Sequence, residues 1–313
     1  MADSAAEGAE GATERRSRLI WNPFWAEYEG QAPGRMHRNE LATDCPFCAD
    51  LTSGSVPPGT TAWIRSNDFP AFRPPLGECY VLIYSAEHDR TFAGLAVTEV
   101  IRVIGLWRAI YDRLAPRYSC VMSWETSGAE IGQTQFHPHG QTYALSVVPD
   151  YLDREIALVA REDAEGRDCP FCAELRAEAA GPRVVVADEH WLGYIPPYAR
   201  YPYQVRLTPR RHYPAVGGLP PNGPEAEELA RHLLRIVRTY DRVYQAPMPY
   251  MLALHQLADP RFHFHIELLP IGRAPGKLKL AASSEMAWGF WMNDSFPEVK
   301  AAELRAVLVE VPT

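Results

Sequence analysis

The chain reads as an α+β protein built from one unit repeated twice, and three observations predict this. First, Cys-Pro-Phe-Cys occurs at residues 45–48 and again at residues 169–172. Second, the spacing between copies is nearly constant: Cys45 to Cys169, Cys48 to Cys172 and His88 to His212 each span 124 positions. His137 to His263 and His139 to His265 each span 126. Third, each copy runs a strand-like stretch into a histidine and then an amphipathic helix-length segment. The strand stretches are residues 80–88 and 203–212. The helical faces are Val100, Ile104, Trp107, Tyr111 and Leu114 in one copy and Leu229, Leu233, Ile236, Tyr240 and Val243 in the other. The units are therefore expected over residues 18–150 and 151–313.

Taken in order, residues 1–17 are Ala, Gly, Glu and Arg without periodicity, which predicts a disordered leader. Aromatic anchors follow in Leu19-Ile20-Trp21-Asn22-Pro23-Phe24-Trp25. Arg35 and Arg38 then stand in a Pro/Gly-rich stretch, where paired guanidinium groups suit a phosphate but are more often only solvated. At 313 residues and 47% hydrophobic content, the chain has enough apolar surface for a core without disulfide staples. A formal charge of −8 argues against general nucleic-acid binding. No run of 18 apolar residues suggests a membrane span, and the N-terminus lacks signal-peptide character, so the cytoplasm is the expected location. The segment from Val299 to Val309 has a helical pattern.

The most informative stretch is Gln135-Phe136-His137-Pro138-His139-Gly140-Gln141, followed by the apolar run 142–148. It reads as the start of a strand that would place His137, His139 and Gln141 on one face. Two imidazoles and an amide beside a glycine suit phosphoryl chemistry, which needs a nucleophile and donors for the non-bridging oxygens. In the second copy His263, His265 and Glu267 alternate with Phe262, Phe264, Ile266 and Leu268, a half-buried strand.

Each copy also offers four metal ligands: Cys45, Cys48, His88 and His137, then Cys169, Cys172, His212 and His263. Two thiolates with two imidazoles suit tetrahedral zinc. A disulfide or redox pair is the competing reading. Cytosolic thiols stay reduced, and a redox pair does not require histidines recurring at matched offsets. For the second site Glu155, His255 and His265 form a rival set with His263. Cys79 and Cys120 fit neither pattern and read as small core residues.

With those residues in view, the chain resembles the galactose-1-phosphate uridylyltransferase family of the histidine-triad superfamily, whose members carry a His-Pro-His-Gly-Gln active-site strand. The likeness runs from about Arg35 to Asn293. It implies duplicated histidine-triad-like units with an antiparallel half-barrel sheet and packed helices, and it implies a homodimer. It further implies substrate-binding roles for Arg35, Arg38, Asn67, Asp68, Phe69, Gly128, Gly132, Thr134, Lys279 and Glu285, and it places the first zinc set on family positions. The implied activity is ping-pong exchange of UMP between a UDP-hexose and a hexose 1-phosphate, with His139 as nucleophile and Gln141 supporting the phosphoryl oxygens. Nucleotide sugar and sugar 1-phosphate would then be its partners, with no nucleic acid or membrane. Thr126 and Trp291 depart from asparagine and glutamine in many relatives, which bears on the sugar. Some relatives bind a second metal through a glutamate and three histidines, while ADP-glucose phosphorylase uses a second Cys-x-x-Cys. Thiolates outcompete a carboxylate for zinc, so the cysteine set is preferred here. The alternatives are a nucleotide-sugar phosphorylase or adenylyltransferase, a nucleotide hydrolase, and a zinc-stabilised nucleotide-binding module without chemistry.

Overall fold

The structure, a computed structural model, describes residues 17–33 and 45–311. Arg35 and Arg38 lie outside the described residues, as does the expected leader apart from its last residue. The chain opens with a hairpin of β1 (Arg18–Asn22) and β2 (Glu27–Gln31). The first half continues through α1 (Pro46–Ser53), β3 (Trp63–Ser66), β4 (Gly77–Ile83), α2 (Val97–Leu114), β5 (Cys120–Ser127) and β6 (His139–Leu145). The second half holds α3 (Asp150–Ala164), α4 (Pro170–Glu178), β7 (Val184–Ala187), β8 (Trp191–Tyr194), β9 (Val205–Pro209), α5 (Pro224–Tyr244), β10 (Tyr250–His255) and β11 (His265–Pro270). A short pair, β12 (Gly272–Ala274) and β13 (Lys277–Leu278), leads to α6 (Ser284–Trp288) and α7 (Pro297–Ala306).

Nine strands form one open antiparallel sheet in the order β3-β4-β6-β5-β10-β11-β9-β8-β7. The two halves meet where β5 pairs with β10, with Trp124 opposite Ala253. On either side of that seam the order repeats in mirror sequence: β5, β6 and β4 one way, β10, β11 and β9 the other. The half-barrel sheets expected of each copy are thus continuous with each other.

The helices α2 and α5 cover one face because their apolar positions recur at helical spacing. Val100, Ile104, Trp107, Tyr111 and Leu114 are all buried, as are Leu229, Leu233, Ile236 and Tyr240, and Val243 packs against the same core. Each large side chain buried this way contributes roughly 1.5–3 kcal/mol. The Glu99 carboxylate accepts from the Ala96 N–H at 2.7 Å, satisfying a donor at the start of α2. Arg238 of α5 donates to the carbonyls of Ala93 (2.8 Å) and Leu95 (2.9 Å), binding the second half's long helix to the first half. Cys79 and Cys120 are core residues, both buried. The helical pattern near the C-terminus is realised as α7.

One expectation needs correction. The strand begins at His139, not at Gln135, and His137 stands before it. Pro138 lacks the N–H that a ladder requires, so pairing starts only beyond it. Its carbonyl still accepts from the Tyr84 N–H at 3.0 Å, which docks the approach against the end of β4. The second copy repeats the pattern, with β11 starting at His265 and His263 outside it.

Glu125 of β5 is buried beneath this region. Its Oε1 accepts from the Tyr250 hydroxyl at 2.9 Å, and its Oε2 has no hydrogen-bond partner. Burial pushes its carboxyl up to about 8 from the ordinary 4.5. Between those values the folded chain keeps a proton that the unfolded chain releases, so stability falls as pH rises across that window. Glu125→Gln keeps an acceptor for Tyr250 and removes the titration. Urea unfolding at pH 5 and pH 8 is expected to show the variant gaining on the parent by a few kcal/mol toward the alkaline end. A pH-independent difference would contradict this.

Candidate active site and metal centres

The turn before α1 and the helix's first turn carry Cys45 and Cys48, because Pro46 at the first helical position starts the helix between them. Four ligand atoms, from Cys45, Cys48, His88 and His137, lie within 4.8 Å of one another. The sulfur to Nδ1 separations are 3.6 Å for Cys45–His137, 3.5 Å for Cys48–His88 and 3.6 Å for Cys48–His137. Tetrahedral zinc, with bonds of about 2.3 Å to sulfur and about 2.0–2.1 Å to nitrogen, places such atoms about 3.6 Å apart. The donor set and its spacing therefore fit a metal of this kind. His137 is fully buried, and its Nε2–H donates to the Ser85 carbonyl at 2.7 Å. That assigns Nδ1 as the atom offered to the sulfurs. Burial also holds the imidazole below its ordinary range, keeping it neutral as a ligand must be. Burial raises the Cys48 thiol, and the adjoining Cys45 adds to this, so its ionisation calls for a nearby cation.

His139 sits at the first position of β6, half-buried, with the Phe47 ring 5.1 Å away. Its Nδ1–H donates to the His137 carbonyl at 2.8 Å. A carbonyl only accepts, so the lone pair lies on Nε2. A small cavity beside it is lined by Trp124, Thr126, Gly132, Thr134 and Gln141, among others. A second, of about 190 Å³, touches His139, Arg90, Gln133 and Glu125. Gly140 is required between the two polar side chains: a Cβ there would lie 2.0 Å from the Tyr84 hydroxyl oxygen and 2.9 Å from the Trp124 carbonyl. The Tyr84 hydroxyl is itself held by the Trp107 indole N–H at 3.1 Å.

The second copy builds a matching cluster. Cys169, Cys172, His212 and His263 again bring their ligand atoms within 4.8 Å, with Cys172 Sγ 3.4 Å from both His212 Nδ1 and His263 Nδ1. The Nε2–H groups donate to carbonyls, His263 to Pro209 at 2.9 Å and His212 to Pro260 at 3.1 Å. The rival set is divided by this arrangement. His263 goes to the thiols, and Glu155, His255 and His265 form a separate group, with Glu155 3.0 Å from His255 Nδ1 and 3.5 Å from His265 Nε2.

Of the remaining predicted residues, Gly132, Thr134 and Gln141 stand beside His139. Gly128 holds the end of β5 instead: its φ of +109° suits glycine, and a Cβ would meet Pro249 at 2.8 Å. Asn67, Asp68 and Phe69 form a turn in which Asn67 Oδ1 accepts from the Phe69 N–H at 2.9 Å. Asp68 takes a bidentate contact from Arg65, with both distances 2.7 Å, and Phe69 is exposed. Lys279 and Glu285 pair with each other at 3.2 Å, and neither lines a cavity beside His139. Reasoning from sequence missed Trp124, Gln133 and Glu125. The alternation of Trp124 with Thr126 on a strand paired to the His-Gly-Gln run was the available signal.

A sheet of this form, with a paired-histidine strand beside a two-thiolate, two-imidazole cluster, suits an enzyme that moves phosphoryl or nucleotidyl groups. Family models agree in both halves: the galactose-1-phosphate uridyl transferase N-terminal domain matches residues 53–149 and its C-terminal domain residues 150–309. The chain belongs to the galactose-1-phosphate uridyl transferase family. It is similar to a galactose-1-phosphate uridylyltransferase of Thermotoga maritima, 29% identical over 94% of this chain and 99% of that protein. Another relative, of the same name and from Streptomyces lividans, is 33% identical over 71% of this chain and 64% of that protein. A solved uridylyltransferase structure superposes with a TM-score of 0.84 at 25% identity, covering 92% of this chain and 97% of that one.

Gly140→Ala tests the packing around His139. The added methyl must displace Tyr84 or the strand, and the expected cost is about 1–3 kcal/mol in urea unfolding. An unchanged midpoint would mean that the close approach is not needed.

Proposed function

We propose that the chain exchanges UMP between a UDP-hexose and a hexose 1-phosphate through a covalent uridylyl group on His139. The observation that carries this reading is the tautomer set by the backbone. The His137 carbonyl accepts from the Nδ1–H of His139, so the lone pair is on Nε2, and His139 lines a cavity with Gln141 and Thr134. Neutral imidazole is nucleophilic near pH 7 without a separate base. Nε2 attacks the α-phosphorus, an N–P bond forms, and the bond to the β-phosphate oxygen breaks, with hexose 1-phosphate leaving with the electron pair. A second hexose 1-phosphate then attacks through a phosphate oxygen, and the N–P bond breaks. The Gln141 amide donates to a non-bridging oxygen. Because an amide has no proton to give a leaving group, it favours transfer over hydrolysis.

Zinc belongs to the same reading, held by Cys45, Cys48, His88 and His137 and, in the second half, by Cys169, Cys172, His212 and His263. Its contribution would be structural, neutralising two thiolates and binding α1 to the residue that precedes His139. The spacing of sulfur and nitrogen atoms supports it. Asn67, Asp68, Phe69, Lys279 and Glu285 enter as substrate contacts through the family resemblance. The division into units after residue 150 is supported by the two family models, which meet one position earlier, between residues 149 and 150. A homodimer is supported by the exposed Met286, Trp288, Phe290 and Phe296, and sedimentation would measure it.

The reading predicts label exchange between UDP-glucose and glucose 1-phosphate with no other acceptor present. His139→Ala should abolish that exchange by a factor of at least about 10⁴ while leaving urea stability and zinc content near those of the parent. Exchange that survives in the variant would remove His139 from the nucleophile's role. No exchange in the parent with any UDP, ADP or GDP sugar would defeat the transferase reading.

A further inference from the structure

The second half of the sheet carries a cavity of about 490 Å³ on the strands that repeat those around His139. His265 and Glu267 of β11 stand 126 positions after His139 and Gln141, and Glu267 lines this cavity together with His255 of β10. The reactive chemistry is gone. His265 is fully buried, and its Nε2, the atom that carries the lone pair in the first copy, faces Glu155 at 3.5 Å. The acids around the cavity are satisfied as well. Glu155 pairs with His255 at 3.0 Å, while Glu267 accepts from Arg206 at 2.6 Å and from Gln204 at 2.9 Å. Glu174 takes the Tyr198 hydroxyl at 2.7 Å and Arg206 at 3.2 Å.

Arg200 is the cation left over. Its guanidinium lies 4.6 Å from the centre of the Tyr151 ring and 5.0 Å from that of Trp291, and it has no ion pair among the described residues. A guanidinium stacked between rings keeps its in-plane N–H donors, which match a phosphate in pairs. Tyr151, Tyr201 and Trp291 line the cavity with aromatic surface for a planar ring, and the Tyr201 and Trp291 ring centres lie 5.5 Å apart with their planes inclined at 61°. The volume is that of a small-molecule site, well beyond what a lone phosphate fills.

We propose that this cavity binds a nucleoside 5′-phosphate without reacting with it, the base against the aromatic wall and the phosphate on Arg200. The duplicated unit thus keeps a binding site in each half and chemistry in one. The cavity sets no base, so the test uses two probes. Equilibrium dialysis of radiolabelled UMP and of AMP against the full-length zinc-replete protein should find one more equivalent of at least one nucleotide than Arg200→Glu binds. Tyr151→Ala should weaken that extra equivalent about tenfold. Both variants should retain UDP-glucose exchange through His139, which verifies their fold independently. Equal stoichiometry in the parent and in Arg200→Glu for both nucleotides would overturn the proposal, and it would leave the assignment of His139 untouched.

Discussion

Two hydrogen bonds to backbone carbonyls govern the chemistry of this fold. The Ser85 carbonyl accepts from the Nε2–H of His137, turning its Nδ1 toward the sulfurs of Cys45 and Cys48. The His137 carbonyl accepts from the Nδ1–H of His139, putting the lone pair on Nε2. Each imidazole is fixed in orientation and tautomer by a group that no side-chain substitution removes. The thiols at the start of α1 and the end of β4 are thereby tied to the first residue of β6. Phosphoryl chemistry gains from this, because a nucleophile held in place does not spend entropy finding its geometry.

Comparison of the two halves shows how little separates a reactive histidine from an inert one. The carbonyl contacts recur, His263 to Pro209 and His265 to His263, and so does the thiol cluster. Glu155 of α3 makes the difference, since it lies against both His255 and His265. The full burial of His265 completes the change. In the first half the matching position opens on cavities lined by Gln141, Thr134 and Gln133. One scaffold therefore supports an enzyme site and a quiet counterpart, with the distinction written in Glu155 and in Ile266 and Glu267, which stand where the first copy has Gly140 and Gln141.

Much of this was legible in the amino-acid sequence because it repeats. Recurrence of Cys-x-x-Cys and of paired histidines at nearly equal offsets disclosed both thiol clusters, and apolar periodicity disclosed α2 and α5. What escaped was decided by pairing across the sheet. That β6 starts at His139 follows from the missing N–H of Pro138 acting together with its docking on Tyr84, a contact between distant positions. Glu125 reads as an ordinary strand carboxylate until β5 and β10 are laid side by side and Tyr250 is found above it. The separation of His263 from Glu155, His255 and His265 likewise depends on which way neighbouring rings point, which composition does not encode. Lys279 and Glu285, expected only as substrate contacts, pair with each other at 3.2 Å, a contact their positions in the sequence did not announce.

The account rests on His139 carrying a nucleotide for part of each cycle. Mixing the zinc-replete protein with UDP-glucose, quenching, digesting and weighing the peptide that contains residue 139 tests this most directly. That peptide should gain the mass of one uridylyl group, placed by fragmentation on His139, and should lose it when glucose 1-phosphate is added. A peptide that never gains this mass, in protein that is folded, metal-loaded and turning over, would contradict the account.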